Sequence, residues 1–141
     1  MSSKKENQEI DADTKVDIKF SQLGLDDRIL KALGDLGYEK PTPIQAKAIP
    51  AAIKQRDVLG IAQTGTGKPG AFTLPTMHKL ASGRARARMP RCLIVCPTRE
   101  LASQVMQTVL KLNVREIGIG NALLIGGESM QNQLKKLKKR A

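Results

Sequence analysis

Aromatic side chains are nearly missing from this chain. Its 141 residues include two Phe, one Tyr and no Trp, so the hydrophobic core must be aliphatic and few rings are available for stacking. Cysteine is equally scarce. Cys92 and Cys96 are the only two in the sequence, and in an extended segment they would stand about 13 Å apart, too far for a disulfide. The sequence therefore predicts free thiols and a reducing, cytoplasmic compartment.

Groups that could hold a metal ion or cross a membrane are also missing. One histidine, His78, and two cysteines in one predicted strand cannot assemble a metal site, so no metal ligand is predicted. No run approaches the ~20 apolar residues of a membrane span, and the N-terminus is polar rather than an apolar leader. Acidic residues are few as well: 13 stand against 24 basic ones, for a net charge of +11. This excess is typical of proteins that bind a phosphate backbone.

Short apolar runs alternate with amphipathic stretches, which predicts an α/β domain with a parallel sheet and helices on both faces. Residues 1–17 are polar and aperiodic and predict a disordered tail, which leaves 18–141 as one domain. The predicted strands are Val58–Ala62, Cys92–Cys96 and Asn121–Ile125. The predicted helices run from an N-cap at Asp26 to Gly37, over Ile44–Ile49 with a break at Pro50, from Lys68 to Leu80, along the apolar positions Leu101, Val105, Val109 and Leu112, and over the basic stretch Leu134–Arg140.

A glycine-bearing segment follows the first predicted strand and opens the next predicted helix. In this context it is typical of a phosphate-binding loop, and it consists of Ala62, Gln63, Thr64, Gly65, Thr66, Gly67 and Lys68. Gly65 and Gly67 allow N–H groups to point inward at phosphate oxygens, and the helix adds its positive N-terminal end. Lys68 would reach the terminal phosphates and is the candidate catalytic residue. The alternative is a glycine-rich turn that ends in a lysine by chance.

Three further motifs surround this loop in order. They are Gly37–Gln45 (GYEKPTPIQ) before it, Pro97–Ala102 (PTRELA) after it, and Gly126–Gly127 beyond the third predicted strand. With them the chain resembles the first part of a DEAD-box ATP-dependent RNA helicase. The resemblance implies an incomplete RecA-like P-loop NTPase domain that binds ATP with Mg²⁺ and contacts the phosphate backbone of RNA. It leaves the oligomeric state open.

The segment that ends in Gln45 is similar to the family's Q motif, whose glutamine reads the adenine edge with its amide as donor and acceptor together. By the same resemblance, the backbone of Lys40 lies at the edge of the adenine site and the ring of Phe20 packs on the adenine. Tyr38 would support that packing. Without the resemblance, Gln45 would be interpreted as an exposed helix residue.

Pro97, Thr98 and Arg99 are similar to the start of the family's motif Ia, which implies a contact with the RNA backbone. Donors at a helix N-terminus and a positive charge suit that role, although a threonine such as Thr98 is also a common helix cap. Gly126 and Gly127 resemble the family's next RNA-contacting turn, where missing side chains permit a close approach. The basic residues of 84–91 and 135–140 are interpreted as solvated surface.

Two departures from the family pattern concern catalysis. Pro69 stands where the family has a threonine whose hydroxyl helps to hold Mg²⁺, and it also disfavours helical angles at Lys68. The sequence ends before the Asp-Glu-Ala-Asp motif and the second RecA-like lobe. We therefore expect no ATP hydrolysis or unwinding by this chain alone, together with an exposed sheet edge and poor stability. The alternatives are a noncatalytic RNA-binding fragment and a different P-loop enzyme, such as a small-molecule kinase.

Overall fold

The computed structural model describes residues 17–83, 89–113 and 117–140. Within these ranges the chain forms one short 3-10 helix and five α-helices. The 3-10 helix is Phe20–Gln22, and the α-helices are α1 (Asp27–Asp35), α2 (Pro43–Ile53), α3 (Lys68–Ala81), α4 (Arg99–Leu112) and α5 (Met130–Arg140). Of the predicted disordered tail, Asp17 alone falls within the described residues, and residues 84–88 of the basic loop lie outside them.

Helix α1 begins and ends where the sequence predicts. The Asp26 side chain accepts a hydrogen bond from the Arg28 N–H at 3.0 Å, which caps the first turn. At the other end Gly37 has φ +76°. Its N–H and the next one donate to carbonyls of the last turn, both at 2.9 Å. These two bonds are a Schellman motif, which requires the left-handed conformation that glycine adopts readily.

Helix α2 corrects the prediction of a break at Pro50. The helix runs without interruption from Pro43 to Ile53 with Pro50 inside it. Pro43 lies in the first turn, where an N–H has no helical partner to lose. Pro50 does forfeit one helical hydrogen bond, but the neighbouring Ala48 and Ile49 are both buried. The packing of that face offsets the lost bond.

The core is aliphatic, as the composition predicts, and Phe20 is the one aromatic ring in it. Helices α2 and α3 pack against each other, so the segment between them is fixed at both ends. A small cluster of Ile44, Ala48 and Ala71 joins these two helices. The main cluster comprises Phe20, Leu23, Leu25, Ile29, Leu33, Ile49, Leu74, Met77, Leu112 and Ile117.

The predicted parallel sheet is not confirmed. No residue in the described ranges is assigned to a strand, and no described backbone hydrogen bond joins Val58–Ala62, Cys92–Cys96 or Asn121–Ile125 to another of these segments. The physical reason is burial, because a parallel sheet needs cover on both faces. Here Leu59 is 87% exposed and Leu93 is 82% exposed. Apolar surface is thus uncovered in two of the predicted strands, and within the described ranges no hydrogen-bonded ladder joins these segments.

The cap of α1 predicts a pH-dependent stability. The side-chain hydrogen bond from Arg28 lowers the pKa of Asp26 from its ordinary 3.8 to about 2. Because the folded-state pKa is the lower one, the stabilisation is complete above ~pH 4 and is lost as the pH falls toward ~2. We expect Asp26→Ala to reduce the free energy of unfolding by about 1 kcal/mol at neutral pH. Urea titrations should show this difference shrinking in acid.

Two variants separate the cap from the ion pair in that experiment. Asp26→Asn keeps a capping side chain but loses the charge, so it should destabilise the chain less than Asp26→Ala does. Asp27→Asn removes the same charge from the exposed neighbouring position and serves as the matched control. A loss in Asp26→Ala that is the same at every pH would contradict a role for the carboxylate.

Candidate functional site

Free backbone donors line the segment Ala62–Lys68, here called the candidate loop. Gly65 and Gly67 both have φ +81°, a conformation that residues with a Cβ rarely adopt. The N–H groups of Gly65, Gly67 and Lys68 donate no hydrogen bond to any residue that the structure describes. Since α3 begins at Lys68, these donors lie at a positive helix N-terminus. The arrangement suits a phosphate group.

The Lys68 ammonium lies across the candidate loop. Its Nζ donates to the Ala62 carbonyl at 2.6 Å, and the Thr66 hydroxyl donates to the Gln63 carbonyl at 2.7 Å. Thr64 forms the exposed tip of the loop with the glycine that follows it. An ammonium carries three donors, of which this bond occupies one. Lys68 is therefore held at the loop with donors left for the oxygens of a ligand.

Pro69 occupies the second position of α3, and Lys68 remains within that helix. The expectation that Pro69 would push Lys68 out of helical geometry is therefore wrong. The first turn tolerates proline because its N–H has no partner in the helix. The Pro69 carbonyl accepts a hydrogen bond from the Thr73 hydroxyl at 2.7 Å. The substitution leaves the helix intact and removes only a hydroxyl and an N–H from the loop side.

The Gln45 side chain connects α2 to the candidate loop. Its Oε1 accepts from the Thr42 N–H at 3.0 Å, and its Nε2 donates to the Gly67 carbonyl at 3.0 Å. The same carbonyl accepts from the Ala71 N–H at 3.3 Å, so it belongs to the first turn of α3. The last residue of the predicted adenine-reading motif is thus bonded directly to the last glycine of the loop.

Two glycines make room for this amide. A Cβ added at Gly67 would stand 2.6 Å from Nε2 of Gln45, and one added at Gly70 would stand at the same 2.6 Å. The Thr42 hydroxyl is 3.1 Å from the Gly67 Cβ position, and its buried oxygen has no hydrogen-bond partner among the described residues. Sequence reasoning missed Gly70. The available signal was a glycine inside a helix, where it costs stability and so needs a reason.

The other two predicted adenine contacts, Phe20 and Lys40, have different surroundings from each other. Phe20 is 5% exposed and belongs to the core, and its N–H donates to the Glu39 carbonyl at 3.3 Å. The Lys40 ammonium forms an exposed ion pair with Asp17 at 2.9 Å. The bond to Glu39 brings the Phe20 backbone close to Lys40. A ring with so little exposed surface offers a base a small contact, and the adenine role of both residues stays a prediction.

The two predicted RNA-contacting motifs meet. The Thr98 hydroxyl accepts from the Leu101 N–H at 3.2 Å and caps α4, which follows Pro97 directly. The next side chain, Arg99, donates from Nη1 to the Gly126 carbonyl at 3.3 Å. A Cβ at Gly127, where φ is +86°, would stand 3.0 Å from the same nitrogen. The structure therefore places the start of α4 against the Gly126–Gly127 turn.

Gln133 also supports the Gly126–Gly127 turn, and the sequence analysis did not predict this. Its side chain is buried on α5 and forms hydrogen bonds to both backbone groups of Ile125, at 2.9 Å and 3.1 Å. It also donates to the Glu128 carbonyl at 3.2 Å. The residue directly precedes the predicted basic stretch Leu134–Arg140 and follows two other polar residues, Gln131 and Asn132, so the local pattern gave no sign of burial. The available signal was its helical spacing from Met130 and Leu137, which Gln131 and Asn132 do not share.

A cavity of about 500 Å³ lies beside the candidate loop, between α2 and α3. Lys68 and Lys79 bring charge to it, and its other walls are mainly apolar. A triphosphate needs a dense set of donors, which the loop has and these walls lack. The residues that line the cavity are Ile44, Ala48, Ala52, Val58, Leu59, Gly60, Lys68, Ala71, Phe72, Pro75, Thr76 and Lys79.

Other classes of site receive no support within the described ranges. Those ranges contain no group of three or more His, Cys, Asp and Glu side chains that could hold a metal ion. Among the helices of 17–83, 89–113 and 117–140, none is long and apolar enough to cross a membrane. Cys92 and Cys96 are free thiols, as predicted.

A glycine-bearing loop that ends in a lysine at the start of a helix defines a P-loop type of site. Comparison with known proteins gives the family. The family model described as DEAD/DEAH box helicase matches residues 42–141. The chain belongs to the DEAD/DEAH box helicase family.

Named relatives agree with this assignment. The chain is 44% identical over 126 residues to the ATP-dependent RNA helicase DeaD of Buchnera aphidicola subsp. Baizongia pistaciae, which covers 89% of this chain and 20% of that protein. It is 45% identical over 119 residues to DeaD of Escherichia coli strain K12, covering 84% of this chain and 18% of that protein. The chain therefore spans about one fifth of the length of these relatives.

Solved structures show the same kinship in three dimensions. The RNA helicase Prp28 from Chaetomium thermophilum, solved bound to ADP, has a TM-score of 0.75 and 36% identity, over 82% of this chain and 28% of that one. A DEAD box protein from Methanococcus jannaschii has a TM-score of 0.72 and 32% identity, over 84% of this chain and 32% of that one. The chain thus shares its fold with part of these helicases.

Proposed function

We propose that this chain is the ATP-binding and RNA-contacting part of a DEAD-box ATP-dependent RNA helicase. The observation that carries the proposal is the hydrogen bond from Gln45 to the Gly67 carbonyl. It places the adenine-reading candidate at the end of the phosphate-binding candidate, so one nucleotide could engage both. A cytoplasmic location, inferred from the free thiols, belongs to the same proposal.

The hydrogen-bonding positions that remain free on the Gln45 amide match the edge of an adenine. A glutamine amide has two donors and an acceptor oxygen with two lone pairs. In this structure Thr42 occupies one lone pair and Gly67 takes one donor. One donor and one lone pair are left, and an adenine edge offers an acceptor and an amino donor side by side. Gln45 can therefore keep its structural bonds while it reads the base.

The candidate loop supplies the phosphate contacts in this proposal. The free N–H groups of Gly65 and Gly67 and the ammonium of Lys68 converge at the N-terminus of α3. They would neutralise the phosphate charge and orient the chain of phosphates. Mg²⁺ would arrive with the nucleotide and would neutralise part of the phosphate charge. The loop offers it no hydroxyl at position 69, because that residue is proline.

The RNA contacts would come from the turn at Gly126–Gly127 and from the start of α4. Thr98 and Arg99 present a capped helix N-terminus and a positive charge there, and both suit phosphate oxygens. Such contacts hold RNA without reading its sequence. The net charge of +11 adds a salt-sensitive attraction.

A noncatalytic RNA-binding function is the second candidate, and Pro69 favours it. Proline at this position removes the hydroxyl that would support Mg²⁺ and leaves the RNA-contacting elements untouched. A small-molecule kinase is disfavoured, because the contact between Arg99 and the Gly126 carbonyl has no role in phosphate transfer to a small molecule.

Binding of a fluorescent single-stranded RNA tests the proposed function. We expect this chain to bind the RNA with an affinity that falls steeply as salt rises and that changes when ATP and Mg²⁺ are added. RNA binding that ignores ATP would support the noncatalytic candidate instead. Binding of ATP without any RNA binding would favour an unrelated P-loop enzyme and refute both.

The missing hydroxyl at position 69 gives a second prediction. Pro69→Thr should tighten the binding of a fluorescent ATP analogue by roughly tenfold in the presence of Mg²⁺, the magnitude of a hydrogen bond to a charged group. Pro69→Val is the matched control, because valine has nearly the same shape as threonine and restores the N–H but carries no hydroxyl. The gain should disappear when EDTA removes the metal. Equal affinities of the unmodified chain and Pro69→Thr would show that the missing hydroxyl does not weaken nucleotide binding.

The close contact at Gly70 gives a third prediction. Gly70→Ala should push the Gln45 amide away from Gly67, because the new Cβ would stand 2.6 Å from Nε2 and the end of a glutamine side chain moves easily. We expect ATP to bind about fivefold more weakly, the effect of one lost hydrogen bond, while the helix itself is stabilised.

Gly34→Ala is the control for that experiment. Gly34 lies in α1, and a Cβ added there meets nothing within 4 Å. This variant gains the same helix propensity and should bind ATP as the unmodified chain does. If Gly70→Ala and Gly34→Ala bind ATP equally well, the contact of Gln45 with Gly67 has no part in nucleotide binding.

A further inference from the structure

We propose that Gln133 is a positioning residue that holds the Gly126–Gly127 turn in the shape that contacts the RNA backbone. This inference rests on the proposed function of that turn. It assigns a role to a residue of α5 that lies outside the two RNA-contacting motifs of the sequence.

The burial of Gln133 is the first observation. From Met130 to Lys138 it is the one buried side chain, at 8% exposure. The apolar residues of the same stretch are more open: Met130 is 72% exposed and Leu134 is 47% exposed. A helix on a protein surface ordinarily buries its apolar side chains and exposes its polar ones. In α5 this pattern is reversed, because the hydrogen bonds of Gln133 keep its polar side chain buried.

Those hydrogen bonds all go to the backbone around the turn. The Gln133 Oε1 accepts from the Ile125 N–H at 2.9 Å, and Nε2 donates to the Ile125 carbonyl at 3.1 Å. Nε2 also donates to the Glu128 carbonyl at 3.2 Å. One side chain thus bonds to the backbone of the residue before the two glycines and of the residue after them. Only a primary amide offers a donor and an acceptor in this geometry.

Arg99, from a different helix, also holds the turn: it donates to the Gly126 carbonyl at 3.3 Å. Glycine loses more conformational freedom than any other residue when it is fixed, so two adjacent glycines need such external support. The N–H groups of Gly126 and Gly127 donate to none of the described residues. Gln133 and Arg99 therefore use the carbonyls around the turn and leave its N–H groups for phosphate oxygens.

Gln133→Glu tests this role with almost no change of shape. The carboxylate would face the Ile125 and Glu128 carbonyls that now accept hydrogen bonds from Nε2, and acceptors repel each other. The turn should be released, and RNA affinity should fall about fivefold to tenfold, as expected when hydrogen bonds to a charged backbone are removed. Because Arg99 is bonded to this turn, its charge should move away from the phosphate that it neutralises, and the slope of log affinity against log salt should become shallower by about 0.7.

The matched control is Gln131→Glu, which makes the same charge change two positions away on an exposed face of α5. It should weaken RNA binding slightly and leave the salt slope unchanged. Binding of ATP should be the same in both variants, because the candidate loop is a separate element. Should Gln133→Glu fail to fold, Gln133→Met keeps the volume without any hydrogen bond and should show the same loss.

The outcomes separate this inference from the proposed function. If the unmodified chain does not bind RNA, the proposed function fails and the role of Gln133 fails with it. If the unmodified chain binds RNA but Gln133→Glu and Gln131→Glu share one affinity and one salt slope, the inference on Gln133 alone is wrong. A selective loss in Gln133→Glu, with ATP binding retained, supports it.

Discussion

One primary amide holds the nucleotide candidate together. Gln45 lies in the first turn of α2 and bonds to the Gly67 carbonyl, so the candidate loop depends on where α2 stands. Helix α2 is fixed in turn by the packing of Ile44 and Ala48 against Ala71 of α3. Since α3 begins directly after Gly67, a single bond sets the spacing between the adenine side and the helix that carries the lysine. A loss of packing between α2 and α3 would separate the two.

The RNA candidate is built on the same plan from different residues. In both places a side chain from one helix bonds to the backbone of a glycine-bearing turn that leads into another helix. Gln45 does so at Gly67, and Arg99 does so at Gly126. Gln133 adds hydrogen bonds to the residues on either side of the second turn. Because a glycine turn is entropically costly to fix, each turn that keeps its N–H groups free for a ligand needs side chains to hold its carbonyls.

The sequence predicted the parts of this structure that depend on local chemistry. The Asp26 cap and the Gly37 ending of α1 follow from interactions a few residues apart. The contact of Arg99 with Gly126 spans 27 positions, and no local pattern encodes it. Burial of Gln133 is equally a tertiary effect. The sheet stays a prediction, because no described residue is assigned to a strand; apolar runs favour strands, but a strand also needs partners and cover.

Pro69 shows how folding and chemistry separate within one residue. The second position of a helix makes no use of its N–H, so proline leaves α3 and the placement of Lys68 intact. In the proposed function that same position would lie beside the phosphates, where an N–H or a hydroxyl could serve a phosphate or its metal. Selection on stability alone would not remove such a substitution. Under the proposed function, a chain with this loop would keep its candidate groups for adenine and phosphate and lack one for Mg²⁺, a balance that would favour nucleotide binding over nucleotide turnover.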